Sequence, residues 1–362
     1  MTSTTRTKPP RLPIWLVAAL LLASSGCRIE RGTPSTSTTS TTAASTTAAP
    51  AGRVVLYTSA YREVTDALTS LARRTLPDVE LVVFQGGSEK VASRLDADLA
   101  AGRAGADILL VSDPLLYRRL HHDGQLLPYA SPNATPIDRR LVDFDNAFVA
   151  ARVSTMVIAH HTDTSAASVP TSLAKLLKGE LSESAEVAFG DPLSSGTAFM
   201  TVVVVGNGDG TFLSALRGRG ASIAGGNAAV LQRVLSKERR FGVVLLENVL
   251  AAAARGEPIA FVLPDDAVTI PGELAILKDT RNPVAARAVI DLILSPAGQA
   301  LIRGSDGNMH AVDPRLAPPA STVPPLAALL DRGHADDALL LRVAGDRASL
   351  QRSLEQALLQ AP

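Results

Sequence analysis

From Arg53 onward the chain alternates short β-rich runs with segments of helical periodicity, and this alternation restricts the folds open to it more than any other feature. Val54-Val55-Leu56-Tyr57 reads as a strand, and Tyr61, Val64, Leu68 and Leu71 then fall on one helix face. The unit recurs. Residues 81–84 and 108–111 are strands, Val91, Leu95 and Leu99 stripe the helix between them, and Pro114 suits the first turn of a third helix. Such βα units bury their apolar faces as a mostly parallel sheet covered by helices, an α/β architecture. With 362 residues the chain exceeds one ordinary domain, so two bodies are expected.

A long β-rich run at residues 148–159, with Val149, Val153, Met156, Val157 and Ile158, carries the chain into the second body. There the alternation restarts, with strands at 187–189, 222–224, 242–246 and 259–263. A further β run, Leu274-Ala275-Ile276-Leu277, follows the turn signal Pro271-Gly272 and returns the chain to the first body, and 283–294 and 296–303 read as helices packed back on it. The expected organisation is lobe 1 from residues 53–147 and 268–330, lobe 2 from 148–267, and a helical extension over 331–362. The two crossings would form a hinge. In the extension Leu339–Leu341, Leu350, Leu354 and Leu358 predict one or two amphipathic helices, expected to cap lobe 1.

Ahead of the folded body, Arg6, Lys8 and Arg11 precede an apolar run at residues 12–23, which reads as a secretion signal. It is shorter than the roughly 20 apolar residues a membrane span needs. Ser24-Ser25-Gly26-Cys27 closes it and resembles the bacterial lipoprotein box, with Ser24 where that box usually carries Leu. Residues 1–27 are therefore expected to be a lipoprotein signal and box, with Cys27 lipidated and the body held on the outer side of a membrane. Cys27 is the chain's only cysteine, so no disulfide can form within it. Residues 28–52 read as a tether: 12 of the 20 residues from 32 to 51 are Ser or Thr, with no charge and no large apolar side chain.

Lys plus Arg (35) equal Asp plus Glu (35), which removes the electrostatic case for nucleic acid or a polybasic membrane patch. No Gly-x-Ser-x-Gly elbow, paired-carboxylate or phosphate-loop motif supports an enzyme. The histidines lack metal-site spacing: His121-His122 read as a helix C-terminus, His160-His161 follow the crossing strand, and His310 and His334 are isolated. Neither a metal site nor a cofactor is expected.

In α/β sheets ligands bind beyond the carboxyl ends of the strands, where helix N-termini offer free N–H groups to anions. Four junctions carry suitable residues: Thr58-Ser59; Gly86-Gly87-Ser88-Glu89; Asp191-Pro192-Leu193-Ser194-Ser195-Gly196-Thr197; and Gly225-Gly226-Asn227. Glycine admits a ligand to the backbone, and Ser, Thr and Asn cap helices or donate to a ligand. Both jobs use the same residue types, so a site requires the two junctions of each lobe to face one cleft. The candidate ligand residues are Thr58, Ser59, Gly87, Ser88, Ser194, Ser195, Gly196, Thr197, Asn227 and Glu247. Arg62 and Lys90 are expected on solvated helix faces.

The run from Val54 to about Ile302 resembles the bacterial ABC-transporter solute-binding proteins of the ferric-iron-binding type. Four segments carry the resemblance: Val55-Leu56-Tyr57-Thr58-Ser59 with Gly86-Gly87-Ser88-Glu89-Lys90; Ala106-Asp107-Ile108-Leu109; Gly190-Asp191-Pro192 leading to Ser194-Ser195-Gly196-Thr197; and Asn282-Pro283 with Ala285-Ala286 and Leu294-Ser295-Pro296-Ala297-Gly298-Gln299. It implies a two-lobed type II periplasmic-binding fold, a monomer that closes on a small ligand, and delivery to an ABC permease. A ligand-sensing lipoprotein of the same fold, signalling to a membrane partner, is the alternative. Ferric-binding members hold the metal largely through two tyrosines of lobe 2. Here the tyrosines are Tyr57, Tyr61, Tyr117 and Tyr129, and the corresponding stretch, Arg240 to Asn248, has no phenol. Ferric ion would need a non-tyrosine ligand set. The junctions fit better the phosphorylated or phosphonate-bearing ligands of other members.

Overall fold

The computed structural model describes residues 49–304, 307–333 and 335–359. The expected signal, Cys27, nearly all of the tether and His334 lie outside the described residues. The elements of lobe 1 begin with β1 (Gly52–Thr58), α1 (Arg62–Thr75), β2 (Val79–Gln85), α2 (Ser88–Ala100), β3 (Ile108–Val111), α3 (Pro114–His122) and β4 (Leu126–Leu127). Next, β5 (Val149–His161) leads to α4 (Leu173–Leu177), β6 (Val187–Phe189), α5 (Gly196–Val205), α6 (Phe212–Gly218), β7 (Ser222–Ile223), α7 (Asn227–Leu235), β8 (Phe241–Leu245), α8 (Leu246–Ala254) and β9 (Ile259–Val262). The chain returns through β10 (Thr269–Leu277), α9 (Pro283–Leu294), α10 (Pro296–Arg303) and β11 (His310–Ala311), and closes with α11 (Leu326–Gly333), α12 (Asp337–Gly345) and α13 (Arg347–Leu359).

The main strand order is β2-β1-β3-β10-β5-β8-β6-β7. β1 pairs in parallel with β2 and β3, and β6 in parallel with β7 and β8, as the βα alternation requires. β5 belongs to both lobes: its first half pairs with β10, and residues 156–161 pair with β8 and β9. All 13 residues of β5 are buried, its polar members Arg152, Ser154, Thr155, His160 and His161 included. Separate cores fill the two lobes. Leu56, Leu68, Ile108 and Ile290 pack in lobe 1, and Phe189, Phe199, Leu213 and Phe241 in lobe 2.

Two expectations differ from the structure. Pro271-Gly272 is not a turn before a strand but lies inside β10, with Pro271 opposite Val153 and Gly272 opposite Arg152. A proline has no N–H to give, and it is accommodated because β3 covers the other edge of β10 only from Glu273 onward. The register then shifts between Gly272 and Glu273, a bulge in the crossing strand. The C-terminal helices, in turn, do not cap lobe 1 alone. α12 lies on α3 of lobe 1, whereas Leu340, Val343, Leu350, Leu354 and Ala357 join the lobe 2 core with Phe199 and Leu213. Their leucine stripes exceed what one helix of lobe 1 can bury, and α5 and α6 supply the remaining apolar surface.

Candidate functional site

The N-termini of α2, α5 and α7, with the loop that leads into α1, open on a single cleft of about 240 Å³. Ser59, Tyr61, Gln85, Gly86, Gly87, Ser88 and Ser112 line it from lobe 1, and Ser194, Ser195, Gly196, Thr197, Gly226, Asn227 and Leu245 from lobe 2. Of the ten candidates, eight border this space: Ser59, Gly87, Ser88, Ser194, Ser195, Gly196, Thr197 and Asn227. Thr58 does not. It is wholly buried, donates to the Leu110 carbonyl (2.8 Å) and accepts from the Ala60 amide (3.0 Å), so it fixes the turn after β1. Glu247 is also buried off the lining, and Arg62 and Lys90 are exposed.

Local chemistry sets each junction. Asp191 turns the chain after β6: its carboxylate accepts from the Leu193 amide (2.9 Å) and its carbonyl from Ser194 and Ser195 (3.1 and 2.9 Å). Ser195 is the N-cap of α5, and Thr197 accepts from the Asn227 amide group (3.1 Å), which joins two of the junctions. The N-caps of α2 and α7 are Gly87 and Gly226, which have no side chain to satisfy the first turn. Those N–H groups point toward the cleft with the positive end of each helix dipole.

The cleft's cation is Arg152, a residue sequence reasoning passed over. It sits on β5 where the strand crosses between lobes, is 3% exposed and lines the space. Nη1 donates to the Ser154 hydroxyl and to the Met309 sulfur (3.1 Å each), Nη2 reaches only a long contact to Ser59 (3.5 Å), and Nε has no partner among the described residues. Ser154 also donates to the Glu247 carboxylate at 2.6 Å and so links Glu247 to the arginine. Burial pushes the Arg152 pKa below the usual arginine range, against the pull of Glu247, and the same burial raises Glu247. Gly272 makes room for the cation: a Cβ there would lie 2.7 Å from Arg152 Cγ. One signal was available, because an arginine inside a long β-rich crossing run must meet a partner or a ligand.

The lobes meet across the cleft. A Cβ on Gly196 would lie 2.7 Å from Ser88 Cβ, so the N-termini of α5 and α2 approach as closely as a glycine allows. On the lobe 1 side Tyr61 donates to Asn248 Oδ1 of α8 (3.2 Å). Burial, reinforced by Glu247, raises the phenol of Tyr61 well above the ordinary tyrosine value. Among the described residues no cluster of His, Cys, Asp and Glu can hold a metal ion. Nor is any single described helix long and apolar enough to cross a membrane.

Solved structures share this architecture at low identity. HitA from Pseudomonas aeruginosa, in its iron-bound form, matches with a TM-score of 0.71 and 19% identity over 83% of this chain and 99% of its own. AfuA from Actinobacillus pleuropneumoniae, a periplasmic binding protein with fructose-6-phosphate bound, matches with 0.71 and 18% over 86% and 99%. The ferric binding protein from Campylobacter jejuni matches with 0.67 and 16% over 84% and 99%. These likenesses establish the two-lobed periplasmic-binding fold. No curated protein sequence matches significantly. The family model of the bacterial extracellular solute-binding proteins matches residues 54–305, both lobes and the cleft between them, and the chain belongs to that family.

Proposed function

We propose that this protein captures a small anionic solute of the phosphate-ester or phosphonate kind by closing its lobes, and delivers it to an ABC-type permease. The observation that carries this reading is Arg152, a buried guanidinium whose Nη2 has only a long contact to Ser59 (3.5 Å), on a cleft lined by hydroxyls and three helix N-termini. Among the described residues no carboxylate borders the space. An anion there would accept from the Arg152 guanidinium and would meet converging helix dipoles. That AfuA is a sugar-phosphate-bound relative in fold agrees with this chemistry. Iron as cargo fits less well, since Tyr61 is the only phenol on the lining among the described residues. Cys27, as a lipidated thiol on a Ser/Thr-rich tether, would keep the monomeric body beside the permease.

A thermal-shift panel of phosphate esters, phosphonates, inorganic phosphate, uncharged polyols and ferric citrate tests the ligand class. The anions should raise the melting temperature with increasing concentration, and the polyols should not. Stabilisation by ferric ion alone, with a coloured complex, would overturn the reading.

A further inference from the structure

Arg347 opens α13 outside the cleft, and its guanidinium touches both lobes. On one side it stacks over the ring of Phe199 in α5 of lobe 2, 4.7 Å from the centroid. On the other it pairs with two carboxylates of lobe 1: Glu89 in the first turn of α2 (2.6 Å) and Asp113, the N-cap of α3 (2.8 and 3.0 Å). Glu89 follows Ser88, the residue against which Gly196 packs, so these pairs lie at the edge where the lobes meet. Neither Arg347 nor its carboxylates border the cleft itself. Opening the hinge would draw Phe199 away from Glu89 and Asp113, and a residue bound to all three must then release one set.

We propose that Arg347 is a closure-determining residue that pins the lobes together from outside the cleft, so that ligand affinity depends on a side chain that touches no ligand. The inference rests on the hinge-closure reading but not on the identity of the cargo. The geometry around Arg347 suits such a pin. Leu350, Leu354 and Ala357 seat α13 in the lobe 2 core, and α12 lies along α3 of lobe 1. Arg347 stands at the junction of the two helices, where a rigid fork of donors serves two carboxylates while its face stacks on an aromatic ring.

Hydrogen exchange on the ligand-free full chain tests the proposal. Arg347→Ala should speed amide exchange in residues 194–200, at the start of α5, by about tenfold, because the closed population falls. The core residues 350–359 of α13 should stay protected. Unchanged exchange at 194–200 would overturn the proposal. Should the alanine variant also loosen α13, Glu89→Gln decides, since it removes one ion pair from the opposite lobe and leaves the α13 core intact. Faster exchange at 194–200 in that variant supports the pin, and wild-type exchange refutes it. A chain that loosens in these variants yet gains no stability from any anion would fail the cargo reading alone.

Discussion

At the residue scale the cleft depends on one unusual placement, a cation buried on a strand that belongs to both lobes. Arg152 Nη2 has only a long 3.5 Å contact to Ser59, and a buried N–H that is poorly paired costs about 1–3 kcal/mol. A ligand oxyanion removes that cost, and a ligand without acceptors does not. Arg152→Met should therefore weaken binding of whichever phosphate-bearing ligand emerges from the thermal-shift panel by about 10- to 100-fold, the range expected for a hydrogen bond to a charged group. Isothermal titration of both proteins checks this, and equal affinities would remove Arg152 from the site. Its neighbours were easier to find. Ser88, Ser195, Gly196 and Asn227 stand in glycine- and hydroxyl-rich junctions that are visible in sequence because helix starts demand them. Thr58 carries the same signature for a different reason, the turn after β1.

Among the elements, β10 joins the cleft to the hinge. Its bulge falls between Gly272, which packs on Arg152, and Glu273, whose carboxylate pairs with Arg118 of α3 at 2.6 Å. Burial pushes the Glu273 pKa up to about 7, against the attraction of Arg118, from 4.5 when unperturbed. A group that binds its proton more tightly in the folded state stabilises the fold most below its unfolded pKa. That contribution is lost as pH rises through the folded value. Stability from Glu273 should thus fall between pH 4.5 and about 7. Glu273→Gln should flatten this segment of the pH profile. Urea unfolding at pH 5 and pH 7.5 reads the difference, and parallel profiles for the two proteins would rule out Glu273 as its source.

For the whole molecule, the described contacts that join the lobes at the cleft and its edge include Gly196 on Ser88, Tyr61 to Asn248, and Arg347 between Phe199 and the carboxylates of lobe 1. The antiparallel pair of β5 and β10 links the lobes, and under the proposed closure the lobes would swing about it. Small-angle scattering should show compaction when a stabilising anion is added, and an unchanged radius of gyration would mean that the closed form needs no ligand. The C-terminal helices contact both lobes, so a truncation before α12 would disturb the lobe 2 core as well as α3.

The sequence by itself determined the βα elements, the crossing at β5, the glycine and hydroxyl junctions at helix starts and the lack of phenols in lobe 2, because each is written in a local pattern of a few residues. Tertiary structure decided which of those junctions share a cleft, since that depends on how two lobes are turned toward each other. It also decided that Pro271 belongs to a strand, because the free edge that tolerates it exists only once β3 has stopped. Arg152 and Arg347 acquire their roles in the same way. Neither stands in a motif, and each matters through partners brought to it from distant parts of the chain.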